Sequence, residues 1–462
     1  MKQLKHIATF SIAIMLFATA CKKDNVQSDT SPLNSIVKVT YDSSNQYAFP
    51  LENVALTVKN TFNSSVLTDK TSTAGLAWFN RISAAEYDIK ASITLTAQEY
   101  LNITGIPLND ATITFSGSLT VRPLRSNTND TLRIVLNIGR AGDWVLKQIY
   151  YAGSNTVTGA VQRDQFIEIY NNSNKLLYAD SLYVSQAFGS NTIAPDYTTG
   201  FYISDNSSPF KGQYDWSKSL GMTMGSAAVT QHWYAKTIFR VPGNGTTYPV
   251  PPGESFVIAS TALNHKAPYV GVDGAAINIL DPSLTVNLST ADFEVYLRDV
   301  IPNPFNTDID NLNVPNMVVI DRGNNRDLVL DNPGREAILI FKTEKYLPLY
   351  TTTSTQTADY KKYPDPTVIT PIADTRYYYQ IPDSIVVDAV QIQHPLSSSR
   401  VPRRLSQRLD ASATNVPGGQ YSSQSLIRKT AKMIGTRRVL KDNNNSSDDF
   451  DYLDRATPKG FK

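Results

Sequence analysis

The segment DQFIEIYNNSNKLLYADSLYVSQ, residues 164–186, places two apolar runs on either side of an asparagine-rich stretch. Both runs are rich in aromatic and β-branched residues, which favour β-strands. Asparagine hydrogen-bonds its own backbone and tolerates left-handed conformations, so NNSN is typical of a turn. The run WVLKQIYYAGS, residues 144–154, precedes this segment and has a similar composition. The sequence therefore predicts two strands, a turn and another strand from residue 144 onward.

The rest of the 462-residue chain shows the same pattern. Apolar runs are short and are interrupted by Asn, Gly, Pro and Ser, while charged residues make up only 18% of the chain. After residue 20, no segment keeps the helical i, i+3, i+4, i+7 spacing of apolar residues over three or four turns. We therefore expect an all-β protein with little helix. The net charge of +2 predicts no strong electrostatic field.

Residues 35–142 form the first predicted domain. NVALTVKN (residues 53–60) alternates as a half-buried strand does, and TLRIVLNIG (residues 131–139) is the predicted closing strand. The segment TSTAGLAWFNRISAAEYDIKASITL (residues 71–95) resembles carboxypeptidase regulatory-like domains of the prealbumin type. This resemblance implies a prealbumin/Ig-like sandwich that acts as a spacer or docking module. We interpret Trp78 as a core aromatic residue, and a ligand platform is the alternative.

Residues 143–462 form the second predicted domain. Its characteristic stretches are FIEIYNN (166–172), YPVPPGESFVIAS (248–260), REAILIFK (335–342), SIVVDAVQI (384–392), and the closing pair SSQSLIRK (422–429) and NNSSDDFDYLDRATPKG (444–460). In this order they resemble the corresponding stretches of lamin-tail-like domains. Glu168 in the first stretch is interpreted as an outward polar residue or a partner for Arg428. The resemblance implies a larger lamin-tail-like β-sandwich with two long loop insertions, residues 187–247 and 346–379.

The N-terminus has the features of a lipoprotein signal. A basic start precedes an apolar stretch, residues 7–20, which is shorter than the roughly 20 residues that span a bilayer. Residues 1–20 are therefore predicted to be a signal peptide. The following ATAC resembles a bacterial lipobox, which implies a diacylglycerol on Cys21 and a lipidated tether over residues 21–34. An unmodified thiol is the alternative, and the mature chain has no other cysteine for a disulfide or a metal site.

Taken together, the lipobox and the two domains resemble the Bacteroidota lipoproteins of the DUF4876 type. That family has no known chemistry, so the resemblance implies the fold and the anchor and leaves the ligand open.

Two groups of residues are candidate binding sites. The insertion 187–247 is rich in aromatic residues among Gly, Asn and Ser, a composition common in binding loops. We predict a ligand platform there, and a satellite hydrophobic core is the alternative. The rings assigned to the platform are Tyr214, Trp216, Trp233 and Tyr234.

The second candidate is a basic segment. Residues 400–441 contain ten Lys or Arg and one acid. We predict a partner surface around Arg403, Arg404 and Arg408, facing an anionic glycan, lipopolysaccharide or an acidic protein loop, because a lipoprotein signal argues against nucleic acid. Neutralisation by the acidic run 442–454 is the simpler alternative.

Evidence for catalysis or for a metal is sparse in this sequence. His232, His265 and His394 are isolated, and no G-x-S-x-G motif occurs, so we predict no catalytic residue, no zinc and no cofactor. The stretches 306–313 and 442–451 cluster hard oxygen donors, but neither has EF-hand spacing. We interpret them as turn-forming residues, with calcium as the alternative.

The function expected from the sequence is that of a non-enzymatic accessory or binding lipoprotein at the outer membrane. It would bind a glycan or another small ligand, and the family resemblance implies that it assists a TonB-dependent uptake system. The alternative is an extracytoplasmic, glycan-directed hydrolase with a carboxylate pair that is separated in sequence. An enzyme should bring carboxylates or histidines together in a cleft, whereas a binding module should expose clustered aromatic rings.

The lipid anchor gives a direct test. Cys21→Ser should abolish membrane association without unfolding the protein, because the thiol is the acceptor for the lipid and the first predicted domain begins only at residue 35. Metabolic labelling with a clickable fatty acid checks this. A serine variant that retained the label would contradict the prediction, and Ser28→Ala in the same tether is the control that should stay labelled.

Overall fold

The computed structural model describes residues 33–41, 47–106, 108, 112–121, 131–139, 142–206, 208–345, 347–350 and 360–462. The predicted signal peptide, Cys21 and most of the tether lie outside these residues, as does the segment 351–359 of the second insertion. Within the described part, strands predominate and the helices are short, so the all-β prediction is confirmed. No helix among those residues is long and apolar enough to cross a membrane.

The described residues of the first domain contain seven strands. In chain order they are β1 (Leu33–Tyr41), β2 (Ala55–Asn60), β3 (Val66–Lys70), β4 (Leu76–Ile82), β5 (Tyr87–Thr96), β6 (Thr112–Val121) and β7 (Thr131–Gly139). They are hydrogen-bonded in the order β3-β2-β5-β6-β7-β1-β4, and only the β1–β7 pair is parallel. Apolar residues from both ends of this path share one core, as a sandwich requires.

Helix α1 (Ala97–Thr104) follows β5 directly. Its capping box is complete, because the Thr96 hydroxyl accepts from the backbone N–H of Glu99 and the Glu99 carboxylate accepts from the backbone N–H of Thr96. At the other end Gly105 adopts φ +71°, a left-handed cap that glycine reaches without strain.

The interpretation of Trp78 as a core residue is wrong. Strand β4 alternates, so Ala77 and Phe79 point into the core and Trp78 points away from it. Its side chain is 50% exposed.

The second domain is built from nineteen described strands and two one-turn helices. The strands are β8 (Trp144–Tyr150), β9 (Phe166–Asn171), β10 (Leu177–Tyr178), β11 (Tyr183–Ala187), β12 (His232–Arg240), β13 (Pro249–Val250), β14 (Ser255–Ala259), β15 (Tyr269–Val270), β16 (Ala276–Ile277), β17 (Phe293–Glu294), β18 (Val318–Asp321), β19 (Ala337–Phe341), β20 (Lys362–Tyr363), β21 (Tyr378–Pro382), β22 (Val386–Gln391), β23 (Ser425–Arg428), β24 (Thr430–Ile434), β25 (Arg437–Leu440) and β26 (Phe450–Leu453); the helices are α2 (Ala227–Thr230) and α3 (Ser446–Asp449). The strands predicted from residue 144 onward correspond to β8, β9 and β11.

Two large sheets form the sandwich. Sheet I has the order β17-β14-β9-β8-β23-β26, and sheet II has the order β20-β21-β12-β11-β19-β22 with β18 paired to β12. The main core lies between them and is formed by inward-facing residues such as Leu146, Ile169, Phe239 and Ile340. The segment 164–186 therefore begins in sheet I and ends in sheet II.

Both sheets are also covered on their outer faces. Every residue of β8, β9, β11 and β19 is buried, which a sandwich with solvent on both outer faces would not give. A second cluster covers the outer face of sheet II, and a third covers that of sheet I.

The predicted insertions supply part of this cover and part of the sheet itself. The range 187–247 contains β12, the strand that pairs with β11, β18 and β21, so it is not a loop over its whole length. The second range, 346–379, is predicted to be a loop insertion. Its described part instead contributes β20 and the buried residues Leu347, Tyr360 and Tyr363.

A buried ionic cluster joins the two sheets. Arg428 on β23 of sheet I pairs with Asp388 on β22 of sheet II, with Asp442 at 3.1 Å and with Asp449 at 3.8 Å. Its Nε also donates to the carbonyl of Leu146 at 2.8 Å, and the backbone N–H of Leu146 donates to Asp388 at 2.6 Å. All four charged side chains are at most 2% exposed.

Glu168 is not the partner of Arg428. It lies on the outer face of sheet I and pairs with Lys147 at 2.7 Å, with both side chains buried. Lys147 also lies 3.7 Å from the ring of Phe461, so the C-terminal residues cover this pair.

Removing the central cation should be far more costly than removing a surface one. Arg428→Ala leaves three buried carboxylates without their counter-ion and should lower the free energy of unfolding by about 3–5 kcal/mol. The matched control Arg133→Ala, on an exposed position of β7, should change it by no more than about 0.5 kcal/mol. Denaturant unfolding of the two variants checks this, and equal losses would contradict it.

Candidate functional site

The four rings of the predicted platform are not exposed as a group. Trp216, Trp233 and Tyr234 are 4%, 1% and 2% exposed, and Tyr214 is half-buried. The expectation of an exposed platform is therefore wrong for these residues, and the alternative of a satellite core describes them. Residues 233 and 234 are neighbours on a strand, so their side chains point to opposite faces of sheet II.

The rings pack closely where they meet. Trp216 stacks on Tyr234 with centroids 3.5 Å apart, and the Tyr234 hydroxyl donates to the carbonyl of Ala228 at 3.0 Å. The gap beside them has a volume of about 10 Å³, which is only enough for a single water.

The arginines of the predicted basic surface also make contacts within the protein. Arg404 is 8% exposed and donates to the carbonyl of Ala187 at 3.0 Å, and Arg403 donates to the carbonyl of Ala411 at 3.0 Å. Arg408 is 43% exposed and pairs with Asp383 at 3.3 Å. A continuous basic surface around these three residues is therefore not present.

This segment contacts the first domain instead. Gln407 donates to the backbone carbonyl of Ser118 on β6, and the Ser118 hydroxyl donates to the carbonyl of Ala411. Arg400 lies 3.7 Å from Asp88 on β5. Part of the charge in this region serves the contact between the two domains.

The acidic stretch 442–451 forms ion pairs with basic residues of the same domain. Asp442 and Asp449 pair with Arg428, and Asp448 pairs with Lys441 at 2.7 Å, so neutralisation within the domain is confirmed for these residues. Within the described residues no three Asp, Glu, His or Cys side chains are arranged to hold a metal ion.

The stretch 306–313 leads to a cavity beside sheet I. The cavity has a volume of about 340 Å³, within the range of small-molecule sites. The hairpin β15–β16 surrounds it together with loops at one end of the strands of sheet I, including those before β9 and after β14. Its wall is formed by Val161, Gln162, Arg163, Ser260, Asp273, Ala275, Ile277, Phe305, Asn306, Thr307, Asp327 and Val329.

Hydrogen bonds to side chains fix the loops around this cavity. Glu294 accepts from the backbone N–H of Ala262 at 2.8 Å and of Asn311 at 2.7 Å, which ties two loops to β17. Asp308 accepts from the backbone N–H of Leu297 at 3.1 Å, and Arg298 donates to the carbonyl of Asp308 at 3.2 Å. Asp308 of the stretch 306–313 therefore holds a loop beside the cavity, as the turn interpretation expects.

The wall carries charges of both signs on an apolar frame. Val161, Ile277, Phe305 and Val329 supply the apolar part. On the polar part Asp273 is exposed and accepts from the side-chain amide of Asn306 at 2.6 Å.

Asp327 is the buried carboxylate of the wall. It is 4% exposed, and one of its oxygens accepts from the backbone N–H of Leu328 at 2.7 Å and from the Ser260 hydroxyl at 3.3 Å. Burial raises the pKa of Asp327 well above its usual range, and the neighbouring charge of Asp308 raises it further. The pKa of Asp308 is itself raised to about 6, chiefly by burial.

Further titratable groups are buried beside the cavity. Asp164 follows Arg163 in the chain, and burial raises its pKa to about 7. Burial lowers the pKa of His265 to about 4, and its Nε2 lies 3.0 Å from the carbonyl of Thr261. The charges of Arg163, Asp164 and Asp327 all act on the pKa of Tyr269. These groups therefore share one electrostatic environment.

The sequence indicated this region only through 306–313. Arg163, Asp273 and Asp327 lie in three separate loops and share no spacing or motif. The DN and DG pairs around them are ordinary turn signals, so nothing in the one-dimensional pattern distinguishes them.

The fold and the cavity can be compared with known proteins. Residues 251–457 match the family model described as "Protein of unknown function (DUF4876)". The predicted DUF4876 resemblance is confirmed over these residues. Among curated proteins, none matches this chain.

The chain also resembles solved structures from Bacteroides species at low sequence identity. A DUF4876 family protein from Bacteroides thetaiotaomicron is 23% identical, with 91% of this chain and 95% of that chain covered and a TM-score of 0.49. Two proposed adhesins from Bacteroides ovatus are more distant. One is 9% identical over 37% of this chain and 58% of its own, with a TM-score of 0.18. The other is 11% identical over 70% and 96%, with a TM-score of 0.15.

The buried carboxylate of the cavity should leave a signature in the pH dependence of stability. In the unfolded chain an Asp loses its proton near about pH 3.9, whereas folded Asp327 keeps its proton to higher pH. Between these two values the folded state binds more protons, so this residue lowers the free energy of unfolding as pH rises. Asp327→Asn removes the effect and should stabilise the protein more at about pH 8 than at about pH 5.

Denaturant unfolding at both pH values measures this difference. The exposed Asp69→Asn is the control and should show no such increase. A gain from Asp327→Asn that does not change with pH would contradict the prediction.

Proposed function

We propose that this protein is a lipid-anchored, non-enzymatic binding protein of the bacterial outer membrane that holds a small ligand in the cavity beside Asp327. The anchor is the diacylglycerol expected on Cys21. The observation that carries the binding role is the cavity itself, because it combines ligand size with an apolar frame and a few placed polar groups.

The position of the cavity also favours a binding role. Five chain segments at one end of the strands of sheet I form it. Binding sites are most often found on loops that are held by a rigid scaffold. The scaffold here is rigid, since both faces of sheet I are packed. The sequence predicted a ligand site on aromatic rings, and the burial of those rings moves the proposal to this cavity.

The partner remains the one implied by the sequence resemblance. We propose that the protein assists a TonB-dependent uptake system by presenting or retaining a small molecule such as a glycan fragment near the receptor. The first domain is then a spacer whose strands β5 and β6 contact the segment 400–411 and Asn443 of the second domain.

One observation favours the alternative of a glycan-directed hydrolase. Two carboxylates, Asp273 and Asp327, line the same cavity, and a raised pKa such as that of Asp327 suits a general acid. Release of nitrophenol from p-nitrophenyl glycosides, lost in Asp327→Asn, would support this alternative and contradict the non-enzymatic proposal.

A bulky substitution in the cavity wall tests the binding role. Ala275 lines the cavity, whereas the next residue, Ala276, lies on the hairpin without lining it, and both are exposed. Ala275→Trp should therefore weaken ligand binding by about tenfold or more, and Ala276→Trp should leave it unchanged.

The probes are six small molecules on two scaffolds: glucose, glucosamine and glucuronate, and benzyl alcohol, benzylamine and benzoate. Calorimetry should detect binding of at least one of them to the unsubstituted protein, with the stated dependence on residue 275. Absence of binding by all six, or equal effects of the two Trp variants, would contradict the proposal.

A further inference from the structure

Leu328 and Ser260 donate to one carboxylate oxygen of Asp327, and the hydrogen bonding of the other oxygen is incomplete. Its second oxygen has one described donor, the Thr261 hydroxyl, at 3.5 Å. The same hydroxyl lies 3.4 Å from the carbonyl of Thr307. One hydroxyl proton cannot serve both acceptors, and both distances are at the outer limit of a hydrogen bond.

A buried carboxylate oxygen with so weak a donor is costly. A carboxylate in an apolar environment needs a counter-ion and hydrogen bonds, and otherwise it takes up a proton. Asp327 lines an open cavity, so a bound molecule can supply what the protein does not.

The surrounding charges determine what that molecule should carry. Asp308 lies near enough to act on Asp327, and Asp273 lines the same cavity. Arg163 supplies positive charge on the wall, but its guanidinium donates to the carbonyl of Ala160 at 3.3 Å. Arg326 donates to the carbonyls of Asn303 and Pro304 and is not among the lining residues.

We propose that the cavity binds a small organic cation whose ammonium group donates to Asp327, with its apolar body against Ile277, Phe305 and Val329. This proposal rests on the proposed function and specifies its ligand. An ammonium group fits the site because it brings both the missing donors and the opposing charge.

The donor set argues for an organic cation over a metal ion. Calcium takes six to eight oxygen ligands, whereas the described residues around the cavity hold no group of three acidic or histidine ligands in a suitable arrangement. The apolar part of the wall likewise suits a carbon frame and offers nothing to a hydrated ion.

The charge series among the six probes tests the proposal. Glucosamine should bind more tightly than glucose and glucuronate, and benzylamine more tightly than benzyl alcohol and benzoate, by about tenfold, or about 1.4 kcal/mol. Asp327→Asn keeps the shape of the side chain but removes its charge, so it should abolish the advantage of both amines. Asp69→Asn on the exposed strand β3 should preserve it.

The outcomes separate this inference from the binding role in general. Neutral or anionic probes that bind as well as the amines, in a manner sensitive to Ala275→Trp, would overturn the cation and leave the binding role standing. An amine preference that survives Asp327→Asn would place the cation elsewhere and overturn the inference. Calcium chloride that competes with benzylamine would replace the organic cation by a metal.

Discussion

The buried contact between Arg428 and its three aspartates is the constraint on which the second domain depends. A guanidinium and a carboxylate cannot lie in a hydrophobic interior unless each satisfies the other, because the cost of removing charge from water is several kcal/mol for each ion. Arg428 comes from sheet I and Asp388 from sheet II, so one alignment of the two sheets satisfies both. The loop after β25 then brings Asp442, and α3 brings Asp449, to the same guanidinium.

This network brings together short stretches that lie far apart in the chain. The aspartate of SIVVDAVQI, the arginine of SSQSLIRK and an aspartate of NNSSDDFDYLDRATPKG meet at one point in the interior. A second buried pair, Lys147 with Glu168, performs a similar role on the outer face of sheet I, where the C-terminal Phe461 covers it. Such pairs are weak evidence for stability, but a shift in register of the strands that carry them would leave buried charges without partners.

The cavity depends on this framework without being part of it. Glu294 and Asp308 direct their oxygens to backbone N–H groups and so hold the loops of the wall, whereas Asp327 faces the cavity with one oxygen poorly supplied. The difference separates a carboxylate that serves the fold from one that is open to a ligand. The neighbouring negative charge of Asp308 makes ionised Asp327 unfavourable in the unliganded protein. Such unfavourable charged groups are common at binding sites.

The sequence by itself determined the all-β class, the strands β8, β9 and β11 and the family resemblance. These follow from local composition and short motifs, since strand propensity and turn chemistry are properties of neighbouring residues. The tertiary structure decided which faces are covered. Trp233 and Tyr234 are aromatic in a Gly- and Asn-rich stretch, yet β12 lies inside sheet II, where both faces are packed, and so they are core. Trp78 lies exposed because alternation on β4 points it away from the core. Only the fold could place Arg163, Asp273 and Asp327 on one cavity wall, because burial and electrostatic coupling arise between residues that are distant along the chain.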